Sequence, residues 1–293
     1  MVLTGSMRIP GRSETPPEFR FLWMLHPAQG PYNSGVRKEK TAIQKAPAKK
    51  SVASAQEVVP HFSEESLKFL RGLKRNNRRD WFEPRRALFE TTLKFPMLKV
   101  IEGVTAAMVQ FAPDHVRPAQ KCLFRIYRDT RFSNDKTPYK NHVAAWWSRH
   151  GLEKTSGGGF YLHLAANELI IAAGVYMPER EQLLAIRTFL LDHHEELRRL
   201  LAGKQLRRLF GLDHGEMLTR PPKGFPKEHA AMDLVKCRQW AVMAKLPADQ
   251  ALESSLVKTL VTHFQAAAPL VALLNEPLTA VAKEKLPPLF SLY

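Results

Sequence analysis

The sequence predicts an α+β protein: a central antiparallel sheet of four or five strands with N-terminal and C-terminal helical layers. Three observations point there. Apolar residues recur at helical spacing as far as Met108. Between Pro118 and Tyr176 the period drops to two, and the connections are short enough for hairpins but too short for parallel crossovers. From Pro178 onward helical spacing returns, interrupted by one extended stretch at Trp240 to Leu246.

Residues 1–59 mix Pro, Gly, Ser, Lys and Ala without apolar periodicity, which predicts a disordered basic tail. A single α+β domain is expected over residues 60–275, with a C-terminal tail over 276–293. Ser63 is placed to cap a first helix, with Glu64 and Glu65 in its first turn and Leu67, Leu70 and Leu73 as its apolar stripe. Asn76 and Asn77 end it. Pro84 and Pro96 mark the starts of a second and a third helix, because a missing N–H costs nothing in a first turn. Trp81 and Phe82 are then packing residues at the joint.

The next segment reads as a strand from Cys122, with Phe124, Ile126, Thr130 and Phe132 on one side and Arg125, Tyr127, Asp129 and Arg131 on the other. Further strands follow at His142 to Trp147, Phe160 to Leu164 and Leu169 to Tyr176, the last two joined by a tight turn at Asn167. Pro178 opens a long helix to Leu201 that buries Leu183, Leu184, Phe189, Leu190 and Leu197. A short helix runs through Leu206 and Phe210. The proline-rich stretch Arg220 to Pro226 is irregular and leads to a helix around His229 to Cys237. The strand at Trp240 and a final helix from Ala248 to Leu274 complete the pattern.

The formal net charge of +16 and a pI near 10.0 favour polyanionic partners or anionic surfaces. Zinc-finger, RRM, KH and helix-turn-helix signatures are absent from the sequence. Two cysteines, Cys122 and Cys237, are too few for a disulfide framework or a four-thiolate zinc site, and suit a reducing, cytoplasmic location. No run is read as a membrane-spanning helix, and no membrane partner or cofactor is implied. The glycines of Thr155 to Gly159 lack the Lys-Ser/Thr of a phosphate loop, so they read as a hairpin connection.

Chemistry concentrates between Phe124 and Lys140, where arginines, lysines and aspartates alternate with aromatic residues. Guanidinium forks near a strand end suit a phosphate or carboxylate, so Arg125, Arg128, Arg131, Lys136, Tyr139 and Lys140 are the candidate ligand-binding residues. Strand alternation puts Arg125 and Arg131 on one face and Arg128 on the other, which favours Arg128 with Lys136 and Lys140 as the working subset. The partner is an anionic small molecule or nucleic acid. A small hydrolase or transferase acting on a phosphorylated substrate is the alternative, with Asp129, Asp135 and His163 as candidate catalytic groups and His142 nearby. Compact metal-ligand spacing is lacking, so no metal is expected. The third reading is a structural or protein-interaction module in which the motif forms an internal Arg–Asp network.

These residues resemble the DUF2461 family over about Phe62 to Leu246. The resemblance rests on Phe62 and Ser63 with Phe69, Leu70, Asn76, Asn77, Trp81 and Phe82. It also rests on Phe124 to Ser133 with Asp135 to Lys140, on Tyr161 to His163 with Gly174, and on Pro222 to Phe225 with His229. The chain has Glu228-His229-Ala230 where the family pattern often shows Asp-His-Pro. The resemblance implies an uncharacterised family and brings no activity with it.

Overall fold

The computed structural model describes residues 60–152, 157–213, 215 and 217–284; the expected N-terminal tail lies outside them, as do residues 155 and 156 of the glycine-bearing connection. The chain divides into two compact units. The larger comprises Glu57–Arg128 with Lys136–Tyr293, and of the other the described residues are Asp129–Asp135.

Helix α1 (Glu64–Arg75) begins after Ser63, whose amide donates to the Ser66 hydroxyl at 3.1 Å, and its end charges match the helix dipole, Glu64 and Glu65 first, Lys74 and Arg75 last. Asn76 closes it as expected. The next helical stretch starts earlier than Pro84, because α2 (Arg79–Phe82) passes through a 3-10 turn at Glu83–Arg85 into α3 (Arg86–Phe89). A π turn at Glu90–Lys94 then joins α3 to α4 (Phe95–Met108). Pro96 therefore lies where one helical run changes pitch, and no chain break separates the two expected helices. Phe82 is buried and Trp81 half-buried against Phe69, at centroid distances of 6.2 and 5.5 Å, so both pack.

The expected strand from Cys122 is not formed. Cys122 ends the short α5 (Ala119–Cys122), and the following residues are extended with isolated bridges at Leu123 and Tyr127. Phe124 N–H reaches the Ala144 carbonyl at 2.9 Å, but the chain then turns its hydrogen bonds to the return segment, through Arg128 N to Pro138 O and Lys140 N to Ile126 O. The alternation of buried Ile126 with exposed Arg125 and Tyr127 survives, whereas Phe132, expected on the same side as Ile126, is 89% exposed.

The sheet contains β1 (His142–Ser148), β2 (Gly159–Ala165), β3 (Glu168–Val175), β4 (Gly211–Asp213) and β5 (Trp240–Pro247) in the order β1-β2-β3-β5-β4, every neighbouring pair antiparallel. The fifth strand is β4, which sequence periodicity does not show because three residues hold too little of a pattern. Ala166 and Asn167 form the two-residue turn between β2 and β3. Gly174 has φ +126° and a β-carbon there would collide with the Trp240 carbonyl oxygen, so β3 and β5 approach closely only because this residue is glycine.

The register places Trp147, Phe160, Ala173 and Val242 across one face, followed by Ala145, Leu162, Ile171 and Ala244. Phe264 of α9 (Leu256–Glu284) packs on that face, 5.3 Å from Trp147 and 5.2 Å from Phe160. Burying each such aromatic contributes roughly 1.5–3 kcal/mol. Leu256–Ala280 is long and apolar enough to cross a membrane by length and composition, contrary to the sequence expectation. Its Leu260, Phe264, Ala267, Val271 and Leu274 are buried, which is the pattern of a helix at the centre of a core.

Helix α6 (Arg180–Leu201) starts two residues after Pro178 and buries Ile186, Leu190 and Leu197, while Leu184, expected inside, is 56% exposed. After α7 (Lys204–Leu209), the helix expected around His229 shrinks to the single turn α8 (Met232–Val235). Ala248–Leu252 is a 3-10 turn, so the last helix starts at Leu256 and continues through Pro277 to Glu284, past the residue where a tail was expected.

Candidate functional site

Antiparallel pairing gives successive residues opposite hydrogen-bonding directions. In the return segment Pro138 and Lys140 bond to the Ile126–Arg128 side, so the Tyr139 amide and carbonyl point the other way. Asn77, just past α1, meets both: its Nδ2 donates to Tyr139 O at 2.8 Å and its Oδ1 accepts from Tyr139 N at 3.0 Å. A side-chain amide thus stands in for a third strand and ties the motif to the first helix.

The Tyr139 ring stacks on Phe82 at 4.1 Å with 23° between planes, and its hydroxyl donates to Glu83 Oε1 at 3.1 Å. Arg86, one turn on, donates to both Glu83 oxygens at 2.7 to 3.1 Å. The Arg86 hydrogen bond holds the Glu83 carboxyl below its ordinary range, while hydrogen bonds to Glu83 and to Tyr127 raise the guanidinium. Burial, helped by Glu83, pushes the Tyr139 phenol up to about 12. Tyr139 is therefore a neutral donor at any ordinary pH.

This network supports one side of a cavity of about 220 Å³. Its apolar wall comes from Phe82, Phe89, Leu123, Ile126, Val143 and Ala144. Its polar groups are Arg86, Lys94, Arg125 and Lys140, with Glu90 as the single carboxylate, and Tyr127 and His142. The π turn sets two of these: it carries Glu90 and Lys94, which pair at 3.1 Å, and such turns inside helices recur at functional sites. Arg125 is exposed and forms no ion pair among the described residues. Lys140 Nζ sits 4.9 Å from the Phe124 ring centroid, in cation–π range.

Beside the cavity, His142 and His163 stack at 4.4 Å with 15° between rings. The register explains the pairing, since His163 lies opposite Ala144 on the neighbouring strand and so shares a face with His142. Burial lowers both imidazoles, His163 to about 4 and His142 well below its ordinary value, with His163 and Lys140 adding to the effect on His142. His163 Nδ1 is 3.3 Å from the Tyr161 hydroxyl, and its Nε2 is 3.9 Å from Glu168, which pairs with Lys245. His142 Nε2 is buried with no hydrogen-bond partner.

The structure thus separates the residues singled out from the sequence. Arg125 and Lys140 reach the cavity. Tyr139 is buried beneath the Glu83–Arg86 pair, and Arg128 donates to the Thr137 hydroxyl and carbonyl. Lys136 and Asp135 are exposed. In its own unit, Arg131 makes a bidentate pair with Asp129, and the Arg131 amide also bonds to Asp129 Oδ1 at 3.1 Å. His163 is buried on His142. Among the described residues, no group of three or more His, Cys, Asp or Glu could hold a metal ion.

Sequence reasoning missed Arg86, Glu90 and Lys94, which lie upstream of the motif that begins at Phe124. The available signal was the charge spacing Glu83 to Arg86 and Glu90 to Lys94, at i,i+3 and i,i+4 on a helix beside buried phenylalanines. No match is found among curated proteins or among solved structures. The model of the family described as conserved hypothetical protein (DUF2461) matches residues 65–272, which include the cavity, its Asn77–Tyr139 bracket and both histidines, and the chain belongs to that family.

Proposed function

We propose that the protein binds a small amphiphilic anion, a phosphate or carboxylate carried on an apolar body, in the cavity between α3, the π turn and the Leu123–Tyr127 segment. The observation that carries this reading is the composition of one recess: an apolar wall with four cationic side chains, of which Arg86 is paired with Glu83 and Lys94 with Glu90, while Arg125 and Lys140 add positive charge beyond those two pairs. An apolar body gains by leaving water, and cations at the rim hold the charged end without full desolvation. A volume of about 220 Å³ equals that of about seven liquid waters, which suits a small molecule and not a nucleic-acid backbone. The Asn77–Tyr139–Glu83–Arg86 network is then the scaffold of the site, and Arg125 and Lys140 are its anion contacts. The two buried cysteines, Cys122 and Cys237, form no disulfide, which suits a reducing compartment.

Thermal unfolding with phenyl phosphate and with phenylacetate tests the reading. Ligand at one hundred times its Kd stabilises the folded state by about 2.7 kcal/mol. Protection is expected in the parent protein and is expected to be lost in the Arg125→Ala Lys140→Ala double variant, whose own stability stays near that of the parent. Absence of protection by both compounds, or equal protection of the double variant, refutes the assignment.

A further inference from the structure

The run from α2 to α3 brings a further cation to the edge of the recess. Glu83 N–H bonds to the Arg79 carbonyl and Arg86 N–H to the Glu83 carbonyl, so Arg79, Glu83 and Arg86 follow one another along one side of the run. Arg86 lines the recess, and Arg79 lies just beyond the lining. At about 1.5–2.0 Å per residue the two arginines are roughly 10–12 Å apart along the axis, within the combined reach of two long side chains. The carboxylate between them is already engaged: both Glu83 oxygens accept from Arg86, and Oε1 also accepts from the Tyr139 hydroxyl at 3.1 Å. Asp80, the residue after Arg79, pairs with Arg78 at 3.1 Å. Arg79 itself is exposed and its side chain forms no ion pair among the described residues. Arg125 is in the same condition at the lining. Two uncompensated guanidinium groups therefore border the Glu83–Arg86 pair, one at the mouth of the recess and one a helical turn outside it.

The wall sets a second condition on the ligand. Phe82, Phe89, Leu123, Ile126, Val143 and Ala144 present hydrocarbon side chains. A nucleobase against them would lose the water bound to its donors and acceptors without gaining side-chain partners, whereas a hydrocarbon body has no such groups to strand. We propose that Arg79 is a second anion subsite and that the ligand is a diphosphate ester of a hydrocarbon alcohol, with its body in the recess, its first phosphate on Arg125 and Lys140, and its terminal phosphate on Arg79. The proposal rests on the cavity reading above and narrows its ligand class. Guanidinium groups suit the task because they bind phosphate oxygens in pairs and keep their charge. A carboxylate or a single phosphate at the rim gains nothing from Arg79. A diphosphate extends past the rim and does.

Matched probes separate this subsite from the cavity reading itself. Calorimetric titration compares dimethylallyl diphosphate with dimethylallyl monophosphate, with EDTA present so that the protein's own cations hold the phosphates. Salt of about 0.15 M screens charges more than about 8 Å away. In the parent protein the diphosphate is expected to bind about tenfold tighter, the value of one charge-assisted hydrogen-bonded contact. Arg79→Ala is expected to bind both probes at the parent's affinity for the monophosphate, and Arg79→Lys to recover part of the preference. Unchanged protection of Arg79→Ala by phenyl phosphate shows that the variant is folded and its recess intact. Arg207→Ala removes the same charge from an exposed position on α7 and is expected to keep the parent's preference. ADP, which carries its diphosphate on a nucleoside, is expected to bind at least about tenfold more weakly than dimethylallyl diphosphate. Equal binding of the two dimethylallyl probes by the parent, a preference that persists in Arg79→Ala, or a loss in Arg207→Ala as large as in Arg79→Ala overturns the subsite while leaving the anion site in place. ADP binding as tightly as dimethylallyl diphosphate overturns the hydrocarbon body. Failure of the dimethylallyl probes in a protein that phenyl phosphate still protects overturns the ligand class alone, and failure of all of them overturns the anion site and the subsite with it.

Discussion

Removal of the Asn77 side chain tests the central structural claim about the site. In Asn77→Ala the Tyr139 amide and carbonyl lose the partners they have at 3.0 and 2.8 Å, and neither can turn to the Ile126–Arg128 side, where Pro138 and Lys140 already take the bonds. Each stranded group costs about 1–3 kcal/mol when fully buried. Asn77 is half-buried, so water replaces part of the loss and the expected destabilisation is about 2–3 kcal/mol. In a body of this size that lowers Tm by roughly 5–10 °C. Urea unfolding followed by far-ultraviolet circular dichroism measures it, with an unchanged m-value expected because the exposed surface is the same. Asn77→Asp keeps an acceptor for the Tyr139 amide but sets a carboxylate against the Tyr139 carbonyl, so it is expected to recover only part of the loss. A change below about 0.5 kcal/mol for Asn77→Ala would show that the bracket is incidental and that Phe82 stacking alone holds Tyr139.

Three further outcomes follow from the same geometry. Tyr139→Phe removes only the hydrogen bond to Glu83 and keeps the ring on Phe82, so a loss of about 0.5–1.5 kcal/mol in chemical denaturation is expected; a loss as large as that of Tyr139→Ala would mean that the hydroxyl, and not the stacked ring, holds the motif against α2. Gly174→Ala forces a side chain against the Trp240 carbonyl at φ +126°, and a loss above about 3 kcal/mol, or no folded protein, is expected; near-parent stability would mean that β3 and β5 can separate freely. His115 and His163 both titrate near 4 in the fold because burial disfavours their charged forms, so the unfolded chain binds protons that the native state refuses. Their contribution is fully present above about 6.5 and is lost as pH falls towards about 4. Melts across that window are expected to show a slope that His163→Phe reduces, and an unchanged slope would show that His163 is accessible to protons in the native state.

Much of the fold was legible because its long elements bury one face each. The period-two runs at His142, Phe160, Leu169 and Trp240 all became strands, and Asn167 lies in the turn joining the middle pair. The failures came where tertiary contacts overrode a local pattern. The run from Phe124 alternates as well as any strand in the chain, yet its contact with β1 is confined to an isolated bridge at Leu123 and the Phe124 amide before the backbone pairs with its own return at Pro138 and Lys140. Periodicity reports which side of a segment is apolar and says nothing of which neighbour takes its hydrogen bonds. The same limit hid β4, whose three residues are defined by pairing with β5 and not by side-chain pattern.

The site was half legible for a related reason. Charge density in the motif singled out its arginines and lysines alike and favoured Arg128 with Lys136 and Lys140, yet Arg125 and Lys140 line the cavity while Arg128 is directed at Thr137 and Arg131 at Asp129. Nothing in a linear sequence distinguishes an arginine turned to a cavity from one closing a turn, since both need the same side chain. The converse holds for Glu83, Arg86, Glu90 and Lys94, whose spacing alone describes an ordinary charged helix face. They acquire meaning from the π turn, which shifts the later pair relative to the earlier one, and from Asn77, which brings Tyr139 against Phe82 sixty residues away in sequence. His142 illustrates the point most sharply. A lone strand histidine ordinarily finds a partner, and only the structure shows that this one's Nε2 is buried without a hydrogen-bond partner. That is a missing contact, and a sequence does not record missing contacts.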